Sequence, residues 1–138
     1  MVVTAKREIR TSGQGDAQDI TRLVATVLAE TSLSNGTATI FVIGSTAGVT
    51  TIEFEPGAIA DLNALFERLA PREADYEHHL RWGDDNSSSH LRATLLGPSL
   101  TVPFAERKLL LGTWQQIVLL EFDTRSRRRE LVIQLTGE

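Results

Sequence analysis

There is no cysteine anywhere in the 138 residues. Disulfides and thiolate metal sites are therefore excluded, and any metal has to be held by imidazole and carboxylate. Positive charge is not in excess either. The formal net charge is −4, which argues against a general nucleic-acid binder, because neutralising phosphates requires a basic face. No apolar run approaches the roughly 20 residues of a membrane span. Met1 to Lys6 lacks the apolar core of a signal peptide. A cytoplasmic protein without nucleic-acid or membrane partners is the expectation, and the missing cysteines fit that address. Internal repeats, low-complexity segments and linkers are also absent.

What is present is an ordinary globular composition, 41% hydrophobic and 23% charged. The length suits a single domain over residues 1–138, able to bury about 70% of its unfolded surface. Residues 2–11 mix β-branched and charged side chains without helical spacing, which predicts a first strand near an edge. Ser12 to Gly15 is a turn, and Asp16 is placed to cap a helix whose stripe is Ile20, Leu23, Val24, Val27 and Leu28. Asn35-Gly36 turns the chain into a strand over 37–43. After Gly44 to Gly48, read as a hairpin or bulge, residues 49–55 alternate as a half-buried strand. Pro56-Gly57 opens a second helix with Ile59, Leu62, Leu65, Phe66 and Leu69 as its stripe, closed by Pro71. Ser87 or Ser88 is placed to cap a short helix stopped by Gly97-Pro98. Strands are expected over 100–104, 108–111, 115–122 and 130–136, with 115–122 covered on both faces. The fold class is α+β, with mostly antiparallel sheets backed by helices.

The chemistry is crowded between Tyr76 and Gln116. All three histidines, His78, His79 and His90, lie here beside the Asp84-Asp85-Asn86 run, and so do both tryptophans, Trp82 and Trp114. Adjacent His78 and His79 point to opposite sides of an extended chain, so one of them faces a given site. His90 falls in the first turn of the short helix, where free N–H groups favour an anion. Two imidazoles with Asp84 or Asp85 have the donor types of an open, catalytic divalent-metal site for Zn, Mg or Mn. Hydrogen-bonded histidines ordering a loop are the competing reading. Arg81, Arg92 and Lys108 are cations nearby in sequence. Gly44 to Thr50 lacks the Gly-Lys-Ser/Thr ending of a Walker loop. The cluster of Arg125, Arg127, Arg128 and Arg129 reads as a charged turn that discourages edge pairing.

Several of these segments together resemble the YjbQ-like family, often described as secondary thiamine-phosphate synthases. They are Tyr76-Glu77-His78, Trp82-Gly83-Asp84-Asp85-Asn86, Ser89-His90, Leu95 to Pro103 and Leu111 to Gln116. The likeness extends to Ser45 to Thr50 and to the closing Gly137-Glu138, and so covers nearly the whole chain. It implies a homotrimer with a polar pocket at or near a subunit interface, holding a metal ion in some members. The resemblance implies His78, His90 and Asp85 as catalytic or metal-holding residues. Asp84, Asn86, Ser89, Gln115 and Gln116 are implied as ligand-binding, and Trp82 is placed to stack on a ring. Many members carry a histidine where this chain has Gly44, and Asn where it has Ile52; Glu53 is kept and is a candidate substitute ligand. The activity implied is a transferase joining an aminopyrimidine diphosphate to a thiazole phosphate with release of pyrophosphate. A non-catalytic trimer binding a small phosphorylated or other anionic ligand or a metal is one alternative. A metal-assisted phosphoester hydrolase is the other.

Overall fold

A computed structural model describes residues 1–83 and 85–138, the side chains of Arg81 and Trp82 excepted. Its elements in chain order are β1 (Val2–Arg10), β2 (Ala17–Asp19), α1 (Thr21–Ala29), β3 (Gly36–Ile43), β4 (Ala47–Ile52), α2 (Pro56–Leu69), α3 (Glu77–Trp82), α4 (Ser87–Leu96), β5 (Ser99–Ala105), β6 (Lys108–Leu109), β7 (Gln116–Glu121) and β8 (Arg128–Gly137). Two sheets form, ordered β1-β8-β3-β5-β6 and β2-β7-β4. Every strand pair in them is antiparallel, as the alternating pattern predicts. Among the described residues, no helix is long and apolar enough to cross a membrane.

Three layers follow from the side-chain parity of the strands. Inward residues of the larger sheet (Ala38, Ile40, Val42, Leu131, Ile133, Leu135) meet Ile117 and Leu119 of β7, and α1 contributes Val24, Val27 and Leu28 to the same core. The other face of β7 presents Val118 and Leu120, which with Phe122 pack against Phe66 of α2 and Ala93 of α4. β7 is thus sandwiched between two apolar layers, which explains its uninterrupted hydrophobic run. Gly48 permits the close fit of α4 on β4: a Cβ there would lie 2.7 Å from Leu96 Cδ2 and 2.9 Å from the Gly97 carbonyl oxygen.

Five local expectations are corrected. Asp16 does not cap α1. Residues 17–19 first pair with β7 as an edge strand, and the Asp16 carboxylate accepts from the Ser12 N–H and from Gln18. The alternating strand ends at Ile52, because Glu55 is taken as the N-cap of α2, accepting from the Gly57 and Ala58 N–H groups at 2.8 and 2.7 Å. These bonds, the Gly57 one foremost, hold its carboxyl below the usual carboxylate range. The segment after β3 is no hairpin, since β3 and β4 belong to different sheets. In α2 only Phe66 is buried, while Leu65 and Leu69 of the expected stripe face solvent. The arginine cluster is not all turn: Arg128 and Arg129 belong to β8. Arg129 has the same parity as Leu131, Ile133 and Leu135 and is buried with them.

That arginine anchors a buried polar network. Its Nε donates to Glu121 Oε1 at 2.8 Å and its Nη2 to Thr46 Oγ1 at 2.6 Å, with a further short contact to Glu121 Oε2. Thr11 donates to Glu121 Oε1 at 2.6 Å, and Thr46 donates to Asp123 Oδ2 at 3.0 Å. Gly44 belongs to this arrangement. It sits at φ +140°, and a Cβ there would lie 2.7 Å from Arg129 Nη1, so the guanidinium occupies the space a larger residue would need.

Candidate functional site

The polar stretch folds as two short helices meeting at a bend. Tyr76, extended, precedes α3 and donates its phenol to the Pro71 carbonyl at 2.5 Å. Gly83 ends α3 in the left-handed conformation that glycine adopts without strain, φ 64°. His78 and His79 therefore lie on a helix, about 100° apart around its axis, rather than on opposite sides of an extended chain. Each takes a different neighbour. His78 approaches His90 of α4, with ring centroids 5.0 Å apart. His79 meets the Tyr76 ring edge-on at 5.3 Å.

α4 has its polarity reversed relative to an ordinary surface helix. Ser87, Ser88, Ser89 and Arg92 are buried, while Leu91 and Leu95, one turn apart, are exposed. The N-cap position is held by Asn86, not by a serine, and its side chain makes no capping hydrogen bond. Among the described residues, Asn86 Oδ1 and the Ser88 and Ser89 hydroxyls are buried without a hydrogen-bond partner, as is His79 Nε2. Such groups carry a desolvation cost of about 1–3 kcal/mol each. Arg92 is no ligand-facing cation: it binds the Ala70 carbonyl oxygen and Glu67, tying α4 to the end of α2. Lys108 lies exposed on β6.

Two open clefts meet at Asp85. One, of about 450 Å³, is lined by Arg72, Glu73, Ala74, Asp75, His79 and Asp85. The other, of about 320 Å³, is lined by Asp85, Asn86, Asp123, Thr124, Arg125 and Arg127. Asp85 faces Arg72 at 3.5 Å and accepts from the Thr124 hydroxyl at 3.4 Å. Of the residues singled out from sequence, the fold brings together His78 with His90, and Asp85 with Asn86. Asp84 and the Trp82 ring lie outside the described residues. Gln115 and Gln116 do not line these clefts. Gln115 accepts from the Gly112 N–H and donates to Thr51, in a separate cleft with Leu96 and Leu110. Gln116 accepts from the Phe54 N–H. Arg72 and Thr124 carry no sequence signal for this place, the Arg125 and Arg127 run reads in sequence as a charged turn, and His79 is the member of the adjacent histidine pair that lines the cleft. The arginine run was visible in sequence, but its arrival at Asp85 depends on the long-range pairing of β7 and β8 with their neighbours.

Among the described residues, one chain does not gather the ligand set of a resident metal. Catalytic zinc takes three protein ligands. Among the described residues, however, no group of three His, Asp or Glu side chains is gathered that could hold an ion. Glu53 is exposed beyond the end of β4 and joins no such group.

Comparison with known proteins places the chain among close relatives. A family model described as UPF0047 protein YjbQ-like matches residues 5–138. A UPF0047 protein of Methanothermobacter thermautotrophicus is 38% identical over 137 residues, covering 99% of this chain and 94% of its own length. YugU of Bacillus subtilis is 33% identical over 131 residues, covering 94% and 96%. Among solved structures, a YbjQ-like protein from Sulfolobus solfataricus superposes with a TM-score of 0.90 at 31% identity, covering 100% of both chains. A yjbq/upf0047 family protein from Clostridium acetobutylicum gives 0.86 at 32% identity, covering 96% of this chain and 99% of its own.

Proposed function

This chain belongs to the UPF0047, YjbQ-like, family, and on that footing we propose that it is a transferase for phosphorylated small molecules, of the thiamine-phosphate synthase type. The thiazole nitrogen would bond to the methylene carbon of the aminopyrimidine diphosphate. The C–O bond to the diphosphate would break, and its electron pair would leave with pyrophosphate. The observation that carries this reading is the start of α4: buried, without a side-chain cap, and bearing hydroxyls that have no partner among the described residues. A helix N-terminus with its first N–H groups unpaired favours an anion, and the Ser88 and Ser89 hydroxyls add donors to the same end. Charge developing on departing pyrophosphate is what such preorganised donors stabilise. His78 and His90, side by side, are the groups to give or take a proton there. Asp85 accepts from the pyrimidine amine. Exposed Leu91 and Leu95, with Leu80 of α3, are the surface a neighbouring subunit of a homotrimer would cover.

A second reading, an anion-binding protein without turnover, is favoured by one observation: the Asp85 carboxylate already faces the Arg72 guanidinium. The test is incubation with the aminopyrimidine diphosphate and the thiazole phosphate, following pyrophosphate and thiamine phosphate together. Equal amounts of both products are expected, with the rate falling about 10²-fold or more in His90→Ala. Saturable thermal stabilisation by pyrophosphate without any product would overturn the transferase reading and leave the binder.

A further inference from the structure

We propose that the turn between β7 and β8 carries a second anion subsite, with Arg125 as its principal cation and Arg127 beside it, for the outer phosphate of a diphosphate-bearing ligand. This rests on the reading that a phosphate group docks at the start of α4. The turn is built to hold its arms still. Asp123 accepts from the Thr124 N–H at 2.8 Å and from Thr46 at 3.0 Å, and its own N–H donates to Glu121 at 3.0 Å. The Arg127 N–H is held by Thr11 Oγ1 at 3.1 Å. The base of the turn is thus continuous with the buried Arg129–Glu121 network. Above that base, Arg125 and Arg127 line the 320 Å³ cleft, with Asp85 and Asn86 as two of its other lining residues. Asn86 is the N-cap of α4, so the cleft opens where the proposed phosphate docks.

The cleft's own lining carries two carboxylates, Asp85 and Asp123, and two guanidiniums, Arg125 and Arg127, and the surplus of one cation comes from Arg72 of the neighbouring cleft. Asp85 is answered by Arg72 at 3.5 Å, and Asp123 by Arg127 at 3.5 Å. Arg125 is exposed and, among the described residues, has no ion pair or hydrogen bond. It is left facing the cleft as unbalanced positive charge, beside the positive end of the α4 dipole. A guanidinium suits phosphate oxygens by its planar fork of donors. The space, equal to about ten waters at ~30 Å³ each, accommodates more than one phosphate group. A ligand with a single phosphate would use the α4 end alone, and a diphosphate would reach both.

The test is calorimetric titration of the full chain with inorganic phosphate and inorganic pyrophosphate as probes, on the wild type, Arg125→Ala and Arg125→Lys. Without anion, the unfolding midpoints should agree, since Arg125 is exposed. Arg125→Ala is expected to weaken pyrophosphate by roughly 10- to 100-fold, as for loss of a charge-assisted hydrogen bond. Phosphate should change by less than about 3-fold, and Arg125→Lys should recover part of the loss because charge returns without the fork. Unchanged pyrophosphate affinity in Arg125→Ala would overturn the subsite while leaving the α4 site standing. Equal weakening of both probes would overturn it too, reducing Arg125 to a general field. A wild type that binds neither probe would remove the α4 reading itself, and the subsite with it.

Discussion

Two of the places where the protein buries polar groups treat them oppositely. At the end of the two sheets, Arg129, Glu121, Thr46, Thr11 and Asp123 satisfy one another through bonds of 3.0 Å or less. At the start of α4, Ser88, Ser89 and Asn86 Oδ1 are buried with no partner among the described residues. The first arrangement is closed and locks strands from distant parts of the chain. The second leaves donors and acceptors at a desolvation cost that no structural bond offsets. A satisfied buried network reads as architecture, and an unsatisfied one beside two clefts reads as a place for a ligand.

The largest break in this comparison comes from the closed network. Arg129→Ala leaves Glu121 buried and uncompensated, and should destabilise the fold by about 3–5 kcal/mol, measured by urea unfolding. A cost below about 1 kcal/mol would mean that water or another side chain replaces the guanidinium, and the network would lose its structural standing. The open site should respond in the opposite sense. Ser88→Ala removes a buried hydroxyl that has no partner among the described residues, so stability should hold or rise by about 1 kcal/mol while pyrophosphate binding weakens. If Ser88→Ala instead lowered stability by as much as a network substitution, the two regions would be alike and the ligand reading of α4 would fail.

The smallest expected effect contrasts α2, which has a cap, with α4, which has none. Glu55 is ionised more readily in the folded protein, because the Gly57 and Ala58 N–H groups hold its pKa down. A lowered folded pKa contributes stability above the ordinary carboxylate pKa, and that contribution is lost as pH falls through the folded value. Glu55→Ala should therefore lower the thermal midpoint slightly near neutral pH, with the gap to wild type closing in acid. A gap that stayed constant with pH would show that the charge plays no part in the cap.

Much of the fold was legible in the chain, and the reason is periodicity. β7 announced burial on both faces by its apolar run, and β8 announced one wet face by alternating Leu131, Ile133 and Leu135 with Val132, Gln134 and Thr136. Arg129 was legible in principle, since it continues that inward row, but its charge outweighed its parity in the reading. The site was legible only in part. The histidine and Asp85-Asn86 segments marked the region, whereas α3 went unseen: its six residues are too few for an apolar stripe to register. Arg72 went unseen, and Arg125 was legible only as part of a charged turn, because their relevance lies in what they face.

The sequence by itself determined the α+β class, the antiparallel strands, the second helix with its start at Pro56, and the segment where the histidines and the Asp-Asn run are crowded. Those are local properties, written in side-chain period and in turn residues, and they need no partner to be expressed. The tertiary structure decided which polar residues are satisfied and which are not. It sent Arg129 inward to Glu121, set His78 against His90, and brought the β7–β8 turn across to Asp85. The same buried network also joins residues more than a hundred positions apart, in the Thr11–Glu121 bond with its separation of 110. Such proximity comes from sheet order and strand register, which no local period encodes.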